Sequence, residues 1–440
     1  MSLFALCLGI FMVIIDVMIV TVALPNIATN LSGTISGLQW VVDGYTLMFT
    51  CLLLSAGTIG DRLGAKTAFI VGLALFVLTS IGCGVAPSIL ILTIFRLLQG
   101  MAAAFIMPTS VALINASYNN NKDRARAIGV WATVGGAGAA CGPILGGIIT
   151  SLFGWRGVFF VNIPIGIIAI ILTWKYVISP AIKDSRGFDV SGQLSAIISL
   201  AALAFGLIEA GRFGWSSSIV VGAFVLFLIS TFIFLLIEYF SRDPIVPLSF
   251  FKSNIFSSTM MIGMFMNIGY YGILFSLPLY FQEIRGYSIL MSGLALIPLV
   301  LFSPFSSYFS GRLVGIIGSR IPMMMGLSLG ALGFLSLLIL GKHTPPYTCL
   351  IFLFASIGIG LTFTMPAATI AVIQSAPTDS AGIASGLFNA SRQLGSLIGV
   401  AVFGTIITTS SSFITGMHSG LILAGLIYIL GVGLAFLARK

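Results

Sequence analysis

The chain has 440 residues, of which 58% are apolar and only 7% charged, with a formal net charge of +9. Soluble domains run at about 45–50% apolar and about 25% charged, so a soluble fold of this length could not hide so much apolar surface, and lipid is its natural solvent. Nucleic acid does not account for the positive charge, because Lys and Arg stand singly in short gaps between apolar stretches.

A spanning helix needs about 20 mostly apolar residues. The first predicted crossing, 3–25, begins almost at Met1 and carries Asp16; it is longer than the apolar core of a cleaved signal peptide and reads as a retained helix. The second, 36–57, carries Asp43 between Trp40 and Tyr45, and the segment Gly57 to Lys66 joins it to the third, 66–86. The fourth, 89–115, holds Arg96-Leu97-Leu98-Gln99-Gly100 and Phe105-Ile106-Met107-Pro108. The fifth, 125–151, carries Gly129, Gly138, Gly142, Pro143, Gly146 and Gly147. The sixth, 157–178, follows Trp155-Arg156 and contains Asn162, Pro164 and Gly166. Crossings at 190–210 and 216–239 precede Asp243-Pro244, and the ninth, 254–282, ends in Pro278-Leu279-Tyr280-Phe281-Gln282. Crossings at 288–311, 321–341, 346–373, 382–409 and 417–438 complete a set of fourteen, with Arg392 and Gln393 in the thirteenth. Spanning strands are excluded, since the stretches do not alternate and are too long.

Orientation follows from the basic residues. With the N-terminus inside, fourteen Lys and Arg fall on the inner side, from Arg62 and Lys66 through Lys183 and Arg242 to Arg439 and Lys440. Only Arg156, Arg212, Arg285 and Lys342 fall outside, which places both termini in the cytoplasm under the positive-inside rule. Cys7, Cys51, Cys83, Cys141 and Cys349 lie within apolar stretches and read as small buried hydrophobes. His343 and His418 sit at loop edges, and no metal-ligand spacing exists.

The chain repeats itself. Gly57-Thr58-Ile59-Gly60-Asp61-Arg62-Leu63-Gly64-Ala65-Lys66, between crossings 2 and 3, is answered by Gly311-Arg312-Leu313-Val314-Gly315-Ile316-Ile317-Gly318-Ser319-Arg320, between crossings 10 and 11. Phe105 to Pro108 is answered by Phe363-Thr364-Met365-Pro366, and Gly129, Gly138, Gly142 and Gly147 keep the spacing of Gly386, Gly395, Gly399 and Gly404. Crossings 1–6 therefore match crossings 9–14, with 7 and 8 inserted. The expected organisation is a six-helix half at 1–180, two inserted helices with linkers at 181–253, and a second half at 254–440. Two such halves around a midplane site are the architecture of an alternating-access carrier; a channel would show polar pore rings or a filter loop, and neither is present.

These residues resemble the major facilitator superfamily, and within it the fourteen-helix drug:proton antiporter branch. The resemblance covers nearly the whole chain. Ile15-Asp16-Val17 with Val22-Ala23-Leu24-Pro25 is similar to the branch's first-helix signature, and Gly57 to Lys66 to the superfamily's loop motif, with Ala65 where a second basic residue is usual. Arg96 to Gly100 resembles the fourth-helix motif, and Gly138 to Gly147 with Gly142-Pro143 the fifth-helix motif typical of antiporters. Trp155 to Gly166, Asp243-Pro244 and Pro278 to Gln282 fit at their places in the order. The second loop copy departs from the pattern with Gly315 at the position of Asp61, and crossing 10 lacks the carboxylate of relatives that export divalent cations. The resemblance implies an all-α polytopic fold of major-facilitator type in the cell membrane. It implies efflux of lipophilic or cationic drugs against protons, with protons as coupling ion, no cofactor, and a monomer in the bilayer.

A charge inside a bilayer costs roughly 2.5–3.5 kcal/mol on insertion scales, so Asp16, Asp43, Arg96 and Arg392 each need a reason. A carboxylate in low-dielectric surroundings favours its neutral form, which makes Asp16 the first candidate for proton coupling; its alternative is a structural pair with Arg96 or a polar cluster. Arg96 fits a switch for proton binding or a structural ion pair, and the two are compatible. Asp43 fits a solvated mouth as well as a cavity. Arg392, with Gln393 beside it, could reach across a cavity or bond to backbone. Glu209, Glu238 and Glu283 near helix ends read as solvated. Gly57 and Gly64 permit a tight cytoplasmic turn, so Asp61, Arg62 and Lys66 read as a conformational gate, Asp61 meeting a helix end or a basic residue such as Arg126. The glycines of crossing 5 let helix backbones approach closely; an antiport role for them is what the resemblance adds.

With no P-loop, ATP is not the expected fuel, and no nucleophile–base or metal constellation supports an enzyme. The remaining readings are an exporter of a single metabolite or antibiotic, an uptake symporter, or a non-transporting receptor or scaffold, which would need neither the repeat nor a buried Asp16.

Overall fold

A computed structural model describes the chain except for residues 119, 180–188, 242–243, 342–346, 378–379 and 438–440, and except for the side chains at 54, 58, 61, 121, 125, 349 and 437. The expected contacts of Asp61, Asp243 and His343 thus lie outside the described residues.

The first five crossings are α1 (Ser2–Leu31), α2 (Ile35–Leu63), α3 (Ala65–Gly84), α4 (Ile89–Ser117) and α5 (Asn121–Phe153). The sixth is broken at Val161 into α6 (Gly157–Phe160) and α7 (Asn162–Tyr176). Then come α8 (Val190–Phe213), α9 (Ser218–Phe240) and α10 (Asn254–Leu279), the last running on through a π-turn at Tyr280–Ile284. The tenth crossing is in three pieces, α11 (Ile289–Ala295), α12 (Ile297–Leu301) and α13 (Ser303–Ile317). The remainder are α14 (Arg320–Ser336), α15 (Tyr347–Ser375), α16 (Ala381–Thr409) and α17 (Phe413–Leu437).

Thirteen crossings among the described residues are long and apolar enough to span a bilayer. The other expected one is α2, a 29-residue helix, about 44 Å long at 1.5 Å per residue. Apolar side chains that a soluble protein would bury face outward, as Leu228, Phe232 and Phe240 do on α9. The protein is a multi-pass membrane protein.

Local chemistry explains where helices begin and break. The hydroxyls of Thr34 and Ser88 accept from the backbone N–H groups of Gly37 and Ile91, capping α2 and α4. Pro298 and Pro304 stand at the first turns of α12 and α13, where the missing N–H costs nothing; this splits a crossing that apolarity alone predicts as continuous. Pro25, Pro108, Pro143, Pro278 and Pro366 lie inside helices, which membrane helices tolerate when neighbours satisfy the freed groups. The repeat is visible in the backbone. Gly64 between α2 and α3 has φ of 86°, and its counterpart Gly318 between α13 and α14 has φ of 77°, a region glycine enters without a Cβ clash.

Two expectations change. Cys141 is exposed, unlike the buried Cys7, Cys51 and Cys83, because it lies on a face of α5 away from α1. His418 lies within α17, its Nε2 2.6 Å from the carbonyl of Leu340.

The chain forms two compact units, one of residues 1–200 with 240–245 and 287–294, the other of 201–239, 246–286 and 295–440. In the first, α1 packs on α5 and α7, and α4 on α2 and α3, around a core that includes Phe49, Phe69, Phe76 and Ala102 to Ala104. In the second, the pairs α10 with α16, and α14 with α15 and α17, dominate.

Candidate functional site

Within the first unit, polar side chains from four helices meet around Asp16 of α1. Arg96 and Gln99 share a face of α4, three residues apart. The Arg96 guanidinium donates to Asp16 Oδ2 at 2.5 Å and to Gln99 Oε1 at 2.7 Å. Gln99 Nε2 donates to Asp16 Oδ1 at 3.2 Å and to Ser80 Oγ of α3 at 2.7 Å. Asn162, at the start of α7, donates to Asp16 Oδ1 at 2.8 Å and to Ser80 Oγ at 3.2 Å. The break at Val161 ends α6 and starts α7 with Asn162, at the level of the carboxylate.

Arg96 is held from a further side. Its Nε donates to the carbonyl of Val41 in α2 at 3.1 Å, and its Cζ lies 4.4 Å from the ring centroid of Tyr45, within cation–π reach. Arg96 is 1% exposed, and Asp16, Ser80, Gln99 and Asn162 are fully buried. One carboxylate therefore has three donors and a full countercharge, which is what a buried ion pair needs to offset its desolvation.

Both readings of Asp16, partner of Arg96 and member of a polar cluster, describe this geometry. In the sequence, Gln99 and Asn162 stand out only as members of their motifs. Gln99 was recoverable from its spacing to Arg96, whereas Ser80 and Asn162 join through the fold.

The solvated-mouth alternative for Asp43 fails: the residue is fully buried, and neither carboxylate oxygen has a hydrogen-bond partner among the described residues. Asp43 belongs to a buried polar stripe, Ser36, Gln39, Asp43, Thr46 and Thr50, spaced three and four apart along one face of α2. The opposite face, with Gly44 and Tyr45, packs on α4. Glu209 and Glu238 are likewise buried rather than solvated; Glu238 accepts from the Val246 N–H at 3.0 Å, tying the end of α9 to the following segment. Glu283 is exposed, as expected.

The glycines of α5 grip α1. A Cβ at Gly142 would lie 2.2 Å from Met18 Cβ, one at Gly146 3.0 Å from the Ile19 carbonyl, and one at Gly138 3.3 Å from Phe11. Gly147 and Pro143 instead face the start of the tenth crossing, where a Cβ at Gly293 would lie 2.2 Å from the Pro143 carbonyl oxygen. At the gate segment, Gly57 lies within α2, Arg62 is exposed in its last turn, and Lys66 Nζ donates to the Trp174 carbonyl at the end of α7, 3.0 Å away. Arg126 meets Asp123 at 3.8 Å on an exposed face. Arg392 and Gln393 lie on α16 in the second unit and do not join the Asp16 cluster.

The sequence profile described as Major Facilitator Superfamily matches residues 6–400. The chain belongs to the major facilitator superfamily. It is 35% identical over 435 residues to a methylenomycin A resistance protein of Bacillus subtilis, covering 99% of this chain and 93% of that one. It is also 35% identical to the multidrug resistance protein Stp of Mycobacterium tuberculosis, covering 92% of this chain and 75% of that one. Among solved structures, a bacterial homologue of the lysosomal transporter Spinster matches with a TM-score of 0.71 at 17% identity, covering 99% and 96% of the two chains. An autoinhibited peptide transporter of the POT family matches with a TM-score of 0.73 at 14% identity, covering 99% and 96%. These structures support the fold alone. As a major facilitator protein, the chain is a membrane transporter and not an enzyme.

Proposed function

We propose that the protein is a proton-coupled exporter of lipophilic small molecules, cationic ones among them, of the fourteen-helix branch. It works in the cell membrane with both termini cytoplasmic, as a monomer without cofactors. The observation that carries the reading is the buried pair of Asp16 and Arg96, braced by Gln99, Asn162 and Ser80. Such a cluster is expensive inside a bilayer and suits a carboxylate that exchanges a proton when its partners move. Arg96 and the two amides hold the carboxylate in place, and displacing α1 relative to α4 would take those partners away; proton exchange is assigned to that step. Asp43 is a second candidate for proton or substrate contact, and the segment Gly57 to Lys66 controls conformational change.

Relatives named as multidrug resistance proteins support the substrate class. A narrower reading, export of one antibiotic, is favoured by relatives named for methylenomycin A and tetracenomycin C. Proteoliposomes with an imposed pH gradient test coupling, and a drug panel on cells with and without the protein tests breadth. Gradient-driven flux of several unrelated compounds supports multidrug export, flux of one supports the narrower reading, and flux indifferent to the gradient refutes coupling.

A further inference from the structure

We propose that Arg392 is the anchor of a subsite for an acidic group, so that lipophilic compounds bearing a carboxylate are among the cargo. The inference rests on the transporter reading and adds acids to its substrate class.

The two arginines within crossings contrast. Arg96 is saturated by Asp16, Gln99 and the Val41 carbonyl. No hydrogen bond or ion pair holds the Arg392 guanidinium among the described residues, and its Nε is buried without an acceptor. Four acids belong to its unit or to the sequence beyond Pro244, namely Glu209, Glu238, Glu283 and Asp379, and among the described residues none forms an ion pair with Arg392; Glu238 instead accepts from the Val246 N–H. Glu283 is exposed in the π-turn that ends the ninth crossing, and Asp379 precedes α16. A cation left unbalanced inside an apolar bundle is costly and marks a functional position.

The surroundings suit an amphiphilic acid. Tyr271 of α10 stands within electrostatic range of the guanidinium. Asn267, one turn earlier, donates to the Arg392 carbonyl at 2.8 Å and to Ser396 Oγ at 3.1 Å, and so fixes the α16 backbone that carries the arginine. Gly263 makes way for the arginine stem: a Cβ there would lie 3.2 Å from Arg392 Cγ and 2.4 Å from the Phe388 ring. A guanidinium fork matches a carboxylate with two parallel hydrogen bonds, and Tyr271, only partly buried, offers a ring beside it. A lipid phosphate shares this chemistry. Arg392 lies eleven residues into α16, however, about 17 Å from its start at 1.5 Å per residue, a depth that suits a dissolved amphiphile better than a headgroup.

The test is equilibrium dialysis of the purified full-length protein against three probes of one skeleton: 1-naphthaleneacetic acid, its methyl ester and 2-(1-naphthyl)ethylamine. The wild type should bind the acid about 10-fold more tightly than the ester, as expected for a charge-assisted hydrogen bond. Arg392→Gln should abolish that preference, and Arg392→Lys should keep part of it. Equal wild-type affinities for acid and ester would overturn the proposal without recourse to any variant, and so would a preference that survives in Arg392→Gln. Loss of the preference when anionic lipid is added would also overturn it, by assigning the site to a headgroup. Gradient-driven flux of the amine, measured in parallel, judges the transport reading separately: its absence, with the acid preference intact, would refute coupling and leave this site standing.

Discussion

Asp16→Asn separates the structural and the coupling roles of the central carboxylate. The substitution keeps the size and one acceptor oxygen but leaves the Arg96 cation, 1% exposed, with no countercharge. Removing one partner of a buried pair altogether costs about 3–5 kcal/mol. Here Gln99 Oε1, the Val41 carbonyl and the Tyr45 ring still face the guanidinium, so the loss should be nearer that of a single charge-assisted hydrogen bond, about 2–3 kcal/mol. Adding Arg96→Gln should recover at least about 1 kcal/mol, since the two sites are in contact and their effects are not additive.

The functional consequence is larger. A gradient equivalent to 150 mV supplies about 3.5 kcal/mol per proton, enough for roughly 300-fold accumulation. Asp16→Asn mimics a permanently neutral carboxyl, so it should still bind and exchange substrate while accumulation falls to about onefold. Thermal unfolding in detergent reads the first effect, and pH-jump transport in liposomes reads the second. A folded Asp16→Asn protein that still pumps uphill would refute the assignment and move the proton to Asp43 or elsewhere.

Four further outcomes are expected. Asn162→Ala removes a donor that serves both Asp16 and Ser80 and should cost about 1–3 kcal/mol in thermal unfolding; an unchanged melting curve would show that the cluster does not depend on it. Gly142→Leu places atoms where a Cβ already comes within 2.2 Å of Met18; overpacking should destabilise by about 1–3 kcal/mol and slow transport, and wild-type turnover would contradict a tight α1–α5 contact. Asp61→Asn should slow transport while substrate affinity stays within about threefold, or about 0.7 kcal/mol, and a large loss of equilibrium binding in folded protein would show that the gate segment binds cargo. Reporter fusions after residues 183 and 440 should both report cytoplasm, and an external signal from either would overturn the topology.

What was legible in the sequence, and what was not, divides along a physical line. Apolar length fixes where a helix crosses, and an isolated charge within it stands out, so Asp16 and Arg96 were visible before any fold. Spacing also fixes which residues share a face, which ties Gln99 to Arg96 and the glycines of α5 to one another. Sequence does not give the rotation of a helix about its axis. Depth alone leaves Asp43 equally suited to a mouth or a cavity, and only the fold shows that its face is buried; nearness to a helix end suggests solvent for Glu238, yet it holds the Val246 N–H. Asn162 reaches Asp16 from 146 residues away, a contact that only the packing of α7 on α1 can create. Cys141 shares the apolar fifth crossing with the packed glycines and differs from them only in facing away.

The two legible features of the first unit act through one helix. Viewed down α1, the residues that meet the α5 glycines are Ile10, Phe11, Ile14, Met18, Ile19 and Val22. At 100° per residue Asp16 points to nearly the opposite side from Met18, toward α3, α4 and α7. The α5 contact is made by glycines that let the two helices approach closely, against the side chains of Phe11, Ile14 and Met18 and the backbone of Ile19. The Asp16 contact is made by charges and amides at hydrogen-bond distance, where displacement by one ångström is enough to break the bonds. On the proposed coupling, a small movement of α1 against α5 is the step that would alter the contacts of Asp16 on its polar face. On that same proposal, proton binding would in return bias the position of α1, because any coupling between the two must run equally in both directions.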